Sequence, residues 1–410
     1  MLKNKNIKIV VAMSGGVDSS VAAALLKKGG FDVVGVFMKF WSDKSALRNL
    51  TDKKDFNRCC SVEAENLARL VAKKIGIPFY VVNVEKEFKK KVVDYFLKEY
   101  KKGNTPNPCV VCNKEIKFGF LIKKALSLGA DYVATGHYAR ITLDNSRSAT
   151  NFSPVERFPT CPAGQVDPNL RKVHCLALYM GRDEEKDQSY FLWQLNQKQL
   201  SRVLFPVGEY TKPEVRELAK KFNLPTAEAP ESQEVCFVPA SPAGRQNATN
   251  EFLKKYLKIK PGLIIEKSGK VVGKHNGLWF YTIGQRKGIE VQQGPWFVVG
   301  KNLQKNQLIV SKDQKDLLKK ELIAKNVSWI SGKEPKLPIK VEVKIRYKSD
   351  FYKALIRSNK GGGVRVIFEK PQRAITPGQS VVFYLPRRSS EAKAGKGKEL
   401  LGGGVINTIM

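Results

Sequence analysis

Over the first half of the chain, short apolar runs alternate with stretches of helical spacing. Ile7–Met13 is apolar enough for one buried strand, and a glycine turn leads from it into Asp18–Lys28, whose apolar positions recur as on one helix. Phe31–Met38 and Phe79–Val84 repeat the strand pattern and Asp131–Thr135 adds a shorter one, while Ser61–Ile75, Glu85–Lys101 and Glu115–Leu128 repeat the helix pattern. Strands alternating with helices predict a parallel sheet in an α/β fold. Leu143–Lys172 breaks this rhythm with Pro, Ser, Asn and Arg and predicts an exposed excursion. Thr211–Phe222 reads as a helix with Thr and Pro at its start. From Gly262 onward short alternating strands take over, at Leu278–Thr282, Trp296–Val299, Leu308–Val310, Ile339–Ile345, Tyr352–Ile356, Val364–Phe368 and Ser380–Tyr384. Their spacing predicts a small antiparallel β-barrel, with a basic loop at Arg387–Lys398. The expected division is an α/β domain over 1–205, a small central domain over 206–280 and the barrel over 281–410.

Length agrees, since 410 residues exceed one compact core. Charge changes the picture more. Lysine and arginine total 72 against 38 acids, a net +34, and such an excess favours a polyanionic partner through counterion release. Residues 85–124 alone carry eleven lysines against five acids, either a backbone-binding stretch for nucleic acid or a solvated helix pair. No apolar run approaches the ~20 residues of a membrane span, and the basic start leads straight into a strand. The expectation is a cytoplasmic chain with no membrane partner and mostly reduced cysteines.

Two features carry candidate chemistry. Ser14-Gly15-Gly16-Val17-Asp18-Ser19-Ser20 joins the first strand to the first helix. Its glycines permit close backbone approach, and amides at the helix start with serine hydroxyls can hold an anion. It is neither a Walker A nor a dinucleotide-binding glycine fingerprint. The second feature is Cys109-Val110-Val111-Cys112, following Thr105-Pro106-Asn107-Pro108. It reads as half a zinc site, a redox pair, or a nucleophile with a neighbour. A structural zinc would want a second pair, and the other cysteines (59, 60, 161, 175, 236) form none, so no metal site is assigned. A helix start beside Lys114 and Lys117 favours a thiolate at Cys112. Taken alone, Cys236 is a buried cysteine at the start of a strand. His137 and His275 have no readable carboxylate partner, and a satisfied core or loop histidine fits each.

SGGVDSS matches the PP-loop of the ATP pyrophosphatases over its length. Beyond it, AMSGGVDSS (12–20), VFMKFW (36–41), TPNP and CNKEIKF (105–118), ATGHYAR (134–140), KDQSYFLW (186–193), LFPVGEYTKPEVR (204–216), SQEVCF (232–237), GLWFYTIGQRKG (277–288), IRY (345–347), TPGQSVVFY (376–384) and LGGG (401–404) stand in order. In these the chain resembles the bacterial tRNA-specific 2-thiouridylases along nearly its whole length. The resemblance implies an adenine nucleotide alpha hydrolase-like PP-loop domain, a central domain and a tRNA-binding barrel. It also implies replacement of the C2 oxygen of the wobble uridine in tRNAs for Lys, Glu and Gln, with ATP split to AMP and pyrophosphate.

By position, the resemblance puts ATP on Ala12, Met13, Ser14, Gly15, Gly16, Val17, Asp18, Ser19, Met38 and Gly136, with Asp18 helping to hold Mg²⁺–pyrophosphate. Cys112 becomes the nucleophile of a sulfur relay and Cys236 its persulfide carrier. Asn107, Pro108 and Cys109 face the uridine, and His137, Lys186, Asp187, Gln188, Arg346, Tyr347 and Gln379 contact tRNA. A persulfide donor protein is the implied partner, and the chain is expected to act as a monomer. Many family members carry Asp at the position of Cys109, and the excursion is longer than the usual family loop. Cys109, Cys112 and Cys236 together could instead hold a [4Fe–4S] cluster; the relay is preferred because two thiols suffice. Other readings are a PP-loop ligase or amidotransferase acting on a small molecule, and an RNA-binding or sulfur-trafficking protein.

Overall fold

A computed structural model describes residues 7–43, 61–143, 176–230, 235–238, 245–289, 291–292, 294–387 and 397–410. The excursion and most of the basic loop 387–398 lie outside the described residues, as do Cys59, Cys60, Cys161 and Cys175.

The chain opens with β1 (Lys8–Ala12), α1 (Val17–Lys28), β2 (Asp32–Lys39), α2 (Val62–Ile75) and β3 (Phe79–Asn83). Ser61 caps α2 by accepting from the Ala64 amide, and Gly76 at φ +66° ends it in the left-handed conformation that favours glycine. Two longer helices follow, α3 over residues 85–101 and α4 over residues 108–127, each with a π-helical stretch inside it. Then come β4 (Tyr132–Ala134), β5 (Ala139–Leu143), β6 (Leu176–Met180) and β7 (Val203–Leu204). The expected parallel sheet is present, with strand order β3-β2-β1-β4-β7 and every pairing parallel. Its chain order reverses between β1 and β4, so the ends of these two strands open a crevice where ligands bind in such sheets. The apolar runs pack on both faces: one core gathers Val21, Leu26, Phe37 and Val71 under α1 and α2, the other gathers Val92, Phe96 and Ile116 from α3 and α4.

Past the short α5 (Gln197–Leu200), α6 (Lys212–Lys221) starts at Thr211, where a reciprocal capping box with Glu214 satisfies the first amides. α7 (Arg245–Tyr256) precedes a four-stranded sheet of β8 (Gly262–Glu266), β9 (Val271–His275), β10 (Phe297–Asn302) and β11 (Gln307–Ser311). The C-terminal barrel holds β12 (Leu318–Trp329), β13 (Ile339–Lys344), β14 (Tyr352–Ser358), β15 (Val364–Arg373), β16 (Ser380–Tyr384) and β17 (Glu399–Ile409). All pairings in the order β12-β15-β14-β13-β16-β17 are antiparallel, and β12 pairs with β17, so six strands close on themselves and leave no free edge.

The structure departs from the sequence pattern in three ways. The strand expected at Leu278–Thr282 is a 3₁₀ turn at Leu278–Phe280: Leu278, Phe280 and Tyr281 are all buried, and packing on several sides replaces the two-sided alternation of a strand. The strands expected near 296 and 308 join β8 and β9 instead of the barrel. Finally, β5 and β6 form a hairpin that leaves the parallel sheet and extends the barrel sheet through β17, where Leu178 pairs with Leu400.

Candidate active site

The SGGVDS turn leaves β1 at the crevice. Gly15 takes φ +76°, and a Cβ there would come within 2.3 Å of the Ala64 carbonyl. A Cβ on Gly136, after β4, would lie 2.6 Å from the Ser19 amide. The two glycines thus let three backbones converge. The Ser19 hydroxyl accepts from the Ser14 amide at 3.1 Å and donates to the Gly16 carbonyl at 3.1 Å, closing the turn on the start of α1. Ala12, Met13 and Met38 sit at the ends of β1 and β2, where the Met13 amide donates to the Val36 carbonyl at 2.8 Å. Of the residues expected at ATP, Ala12 to Ser19 run from the end of β1 through the turn into α1, Gly136 packs on the start of α1, and Met38 lies buried near the end of β2. The donors and glycine clearances suit a nucleotide polyphosphate.

Asp18 faces out of the first turn of α1. Its carboxylate accepts from the Lys212 ammonium at 2.7 and 2.9 Å and from the Tyr138 hydroxyl at 2.7 Å. Lys212 is buried at the first turn of α6, and neither it nor Tyr138 was singled out from the sequence. A clue was available: a lysine in a helix's first turn opposes the helix dipole and asks for another reason.

Pro108 opens α4, with Asn107 before it, and places Cys109 on the exposed side and Cys112 on the buried side. Cys112 packs in the core that holds Met38 and Val110 and is lined by Phe237 and Val235. Cys236, half-buried, packs against the same core. Its neighbour Phe237 is anchored by edge contacts to Phe88, Phe96 and Phe252. None of Cys109, Cys112 and Cys236 is in a disulfide. The loop before α4 is braced from elsewhere in the chain. The Gln379 amide donates to the carbonyls of Thr105 and Pro106 at 2.8 and 3.3 Å, the Thr105 amide donates to Pro377, and Lys301 donates to Gly103 at 2.8 Å. The Thr105 and Thr282 hydroxyls meet at 3.2 Å.

The residues expected at tRNA are spread between surface and interior. Asn107 bonds the buried Tyr190 hydroxyl. Tyr347 meets Phe191 in a tilted ring contact at 4.5 Å between centroids, with Lys348 over its ring. Arg346 turns inward, its guanidinium donating to the Ala374 carbonyl and the Thr376 hydroxyl at 2.8 Å each, and burial lowers its pKa. Asp187 is fully enclosed and accepts from the Gly181 amide and from Ser189; burial pushes its carboxyl up to about 6. Gln188 accepts from the Tyr138 amide. The Lys186 amide donates to Asp183. His137 is buried between Phe118 and Phe205, its Nδ1 2.6 Å from the Thr135 hydroxyl. Burial, with Lys117 nearby, holds it neutral. Asp187, Gln188, His137, Arg346 and Gln379 therefore hold neighbouring backbone and side chains in place. Among the described residues, no three His, Cys, Asp or Glu side chains converge as a metal site.

A glycine-rich turn at the reversal point of a parallel sheet, coupled through a two-cysteine region to a closed barrel, defines a nucleotide-binding transferase architecture. Three family models match it in order: a tRNA methyl transferase HUP domain over residues 7–240, a tRNA methyl transferase PRC-barrel domain over 250–312 and an aminomethyltransferase beta-barrel domain over 319–406. Full-length relatives decide between the chemistries these descriptions suggest. The chain is 42% identical to a tRNA-specific 2-thiouridylase of Carboxydothermus hydrogenoformans, over 97% of each chain. It is 44% identical to one from Clostridium tetani, over 97% of this chain and 98% of the relative. It is 43% identical to one from Bacillus cereus, over 98% and 95%. The chain belongs to the tRNA-specific 2-thiouridylase family. Among the described residues no helix is long and apolar enough to cross a membrane.

Proposed function

We propose that the chain is a tRNA-uridine 2-sulfurtransferase acting on the wobble uridine in the cytoplasm. A uracil carbonyl is a poor electrophile, and its oxygen leaves only once it has been made part of a phosphate. ATP in the crevice adenylates that oxygen and releases pyrophosphate. Cys236 carries a persulfide from a donor protein. Cys112 attacks the inner sulfur, forming a Cys112–Cys236 disulfide and expelling hydrosulfide. Hydrosulfide attacks C2, AMP departs with the former uracil oxygen, and an external dithiol reduces the disulfide. Mg²⁺ would be held by Asp18 and the phosphates and would offset their charge.

The observation that carries this reading is that Cys112 and Cys236, far apart in sequence, border one apolar core that also holds Met38 of the nucleotide crevice. The relay needs these two thiols alone. A cluster would need Cys109 too, and it faces outward, one turn before the buried Cys112. In this reading residues 1–205 hold ATP, 206–280 present Cys236 and 281–410 bind tRNA of the Lys, Glu and Gln type, with one chain sufficient. The anticodon base must be splayed out to enter.

The deciding experiment is mass spectrometry of tRNA from a strain lacking 2-thiouridine, complemented with this gene. Restored 2-thiouridine at the wobble position supports the proposal, and tRNA that stays unmodified despite good expression refutes it. Protein purified anaerobically with stoichiometric iron, and inactivated by Cys109→Asp, would replace the relay with a cluster.

A further inference from the structure

Asn113 follows Cys112 directly and opens the π-helical stretch Asn113–Phe120 inside α4. Such departures from α-helical bonding concentrate at functional sites. This one depends on Gly119, where a Cβ would lie 2.8 Å from the Lys114 carbonyl. Asn113 itself is 3% exposed, and its Nδ2 donates to the Phe191 carbonyl at 3.2 Å. A carbonyl can only accept, so this bond settles which end of the amide is which. The other end, Oδ1, is buried and has no hydrogen-bond partner among the described residues. A buried acceptor left unpaired destabilises the fold, and its presence calls for a reason.

The neighbourhood supplies one. Asn113 is fastened to Phe191, and Asn107 is fastened to the hydroxyl of the preceding Tyr190. One dipeptide therefore holds the residues on both sides of the cysteine pair, and Asn107, Cys112 and Asn113 share one region. The half-buried rings of Phe191 and Tyr347 border it. Resting on the tRNA-uridine reading above, we infer that Asn113 selects uracil, its Oδ1 accepting the N3–H of the splayed-out base. N3 is bonded to C2, the carbon that is to receive sulfur. An acceptor for N3–H therefore belongs beside the thiol that serves C2, and Asn113 is the residue next to Cys112. Bases taken out of a stack are read along their Watson–Crick edges. Uracil presents a donor at N3, whereas cytosine presents a lone pair there, which Oδ1 repels. The cost of the unpaired acceptor is thus recovered when uridine enters and not when cytidine does.

The test uses the full chain and two tRNA transcripts that differ only in the wobble base, uridine or cytidine. Competition binding at fixed salt reads the preference, and mass spectrometry reads thiolation of the uridine transcript. The parent should hold the uridine transcript about tenfold tighter, the scale of one hydrogen bond gained against one acceptor left unpaired. Asn113→Leu keeps the volume and removes the acceptor. It should bind both transcripts within about twofold of each other and thiolate uridine at least about tenfold more slowly. Its melting temperature should stay near the parent's, because losing the unpaired acceptor offsets losing the bond to Phe191. Should Asn113→Leu fail to fold, Asn113→Ala is read by the same criterion. A variant that keeps the parent's uridine preference overturns the inference. So does one that melts lower and weakens both transcripts alike, the mark of a structural role. A parent that thiolates uridine yet binds the two transcripts equally overturns the inference alone, and a parent that binds neither overturns the tRNA reading beneath it.

Discussion

The parallel sheet and the barrel contribute to the site in opposite ways. The sheet builds its part from backbone: a turn at Gly15 and Gly136 lets amides converge where the chain order reverses. The barrel closes on itself through β12 and β17. It acts through Pro377 and Gln379, which grip the Thr105–Pro106 loop preceding the cysteine helix. One region makes a binding surface from its own turn, and the other aims a surface that belongs to its neighbour. Substitutions in the first should therefore abolish a binding event, whereas those in the second should blunt a rate.

The largest expected effect lies between the two regions. Cys112→Ala and Cys236→Ala should each remove 2-thiouridine formation altogether while ATP and tRNA affinities stay within about twofold, since neither thiol supports the backbone crevice. Next comes Gly136→Val, whose Cβ would stand 2.6 Å from the Ser19 amide. Backbone must shift to admit it, and ATP affinity should fall by about a hundredfold with tRNA binding retained, as read by calorimetry and filter binding. Loss of tRNA binding as well would break the separation of the two regions. Gln379→Ala deletes two hydrogen bonds to the Thr105 loop and should slow thiolation by roughly five- to tenfold with ATP affinity unchanged. A pure loss of tRNA affinity at full rate would show that Gln379 contacts RNA instead.

The smallest effect is one of pH. Burial lowers the Lys301 ammonium to about 7, against 10.5 when exposed. The unfolded chain then binds more protons than the folded one between these values, so this group makes stability rise with pH between about 7 and 10.5, on the order of 1 kcal/mol per pH unit. Lys301→Met should flatten that part of a denaturation-versus-pH series. An unchanged slope would mean that the ammonium at Gly103 is not enclosed in solution.

The sequence disclosed what depends on local periodicity and on turn chemistry. The α/β alternation, the SGGVDS turn and the Thr211 helix start were legible because each is decided within a few residues. The partition of β10 and β11 into a separate sheet was not, since two alternating strands look alike whichever sheet they join. Nor did the sequence reveal the intramolecular partners of Asp187 and Gln379, because a polar side chain in a motif does not show which way it turns. The Lys212–Asp18 pair was hidden because 194 positions separate its partners.

The pairing of Leu178 with Leu400 bears on how the chain reaches its native state. β17 closes the barrel against β12 and also receives the β5–β6 hairpin, so one strand completes two structures that began far upstream. Contacts of this sequence separation form late, because the entropy of a long loop is lost before any pairing rewards it. Until β17 arrives, β6 has an unpaired edge on the side that β17 will cover, open to other extended chains. The β5–β6 pair is therefore the part of the N-terminal half whose sheet is completed only by the last strand of the chain.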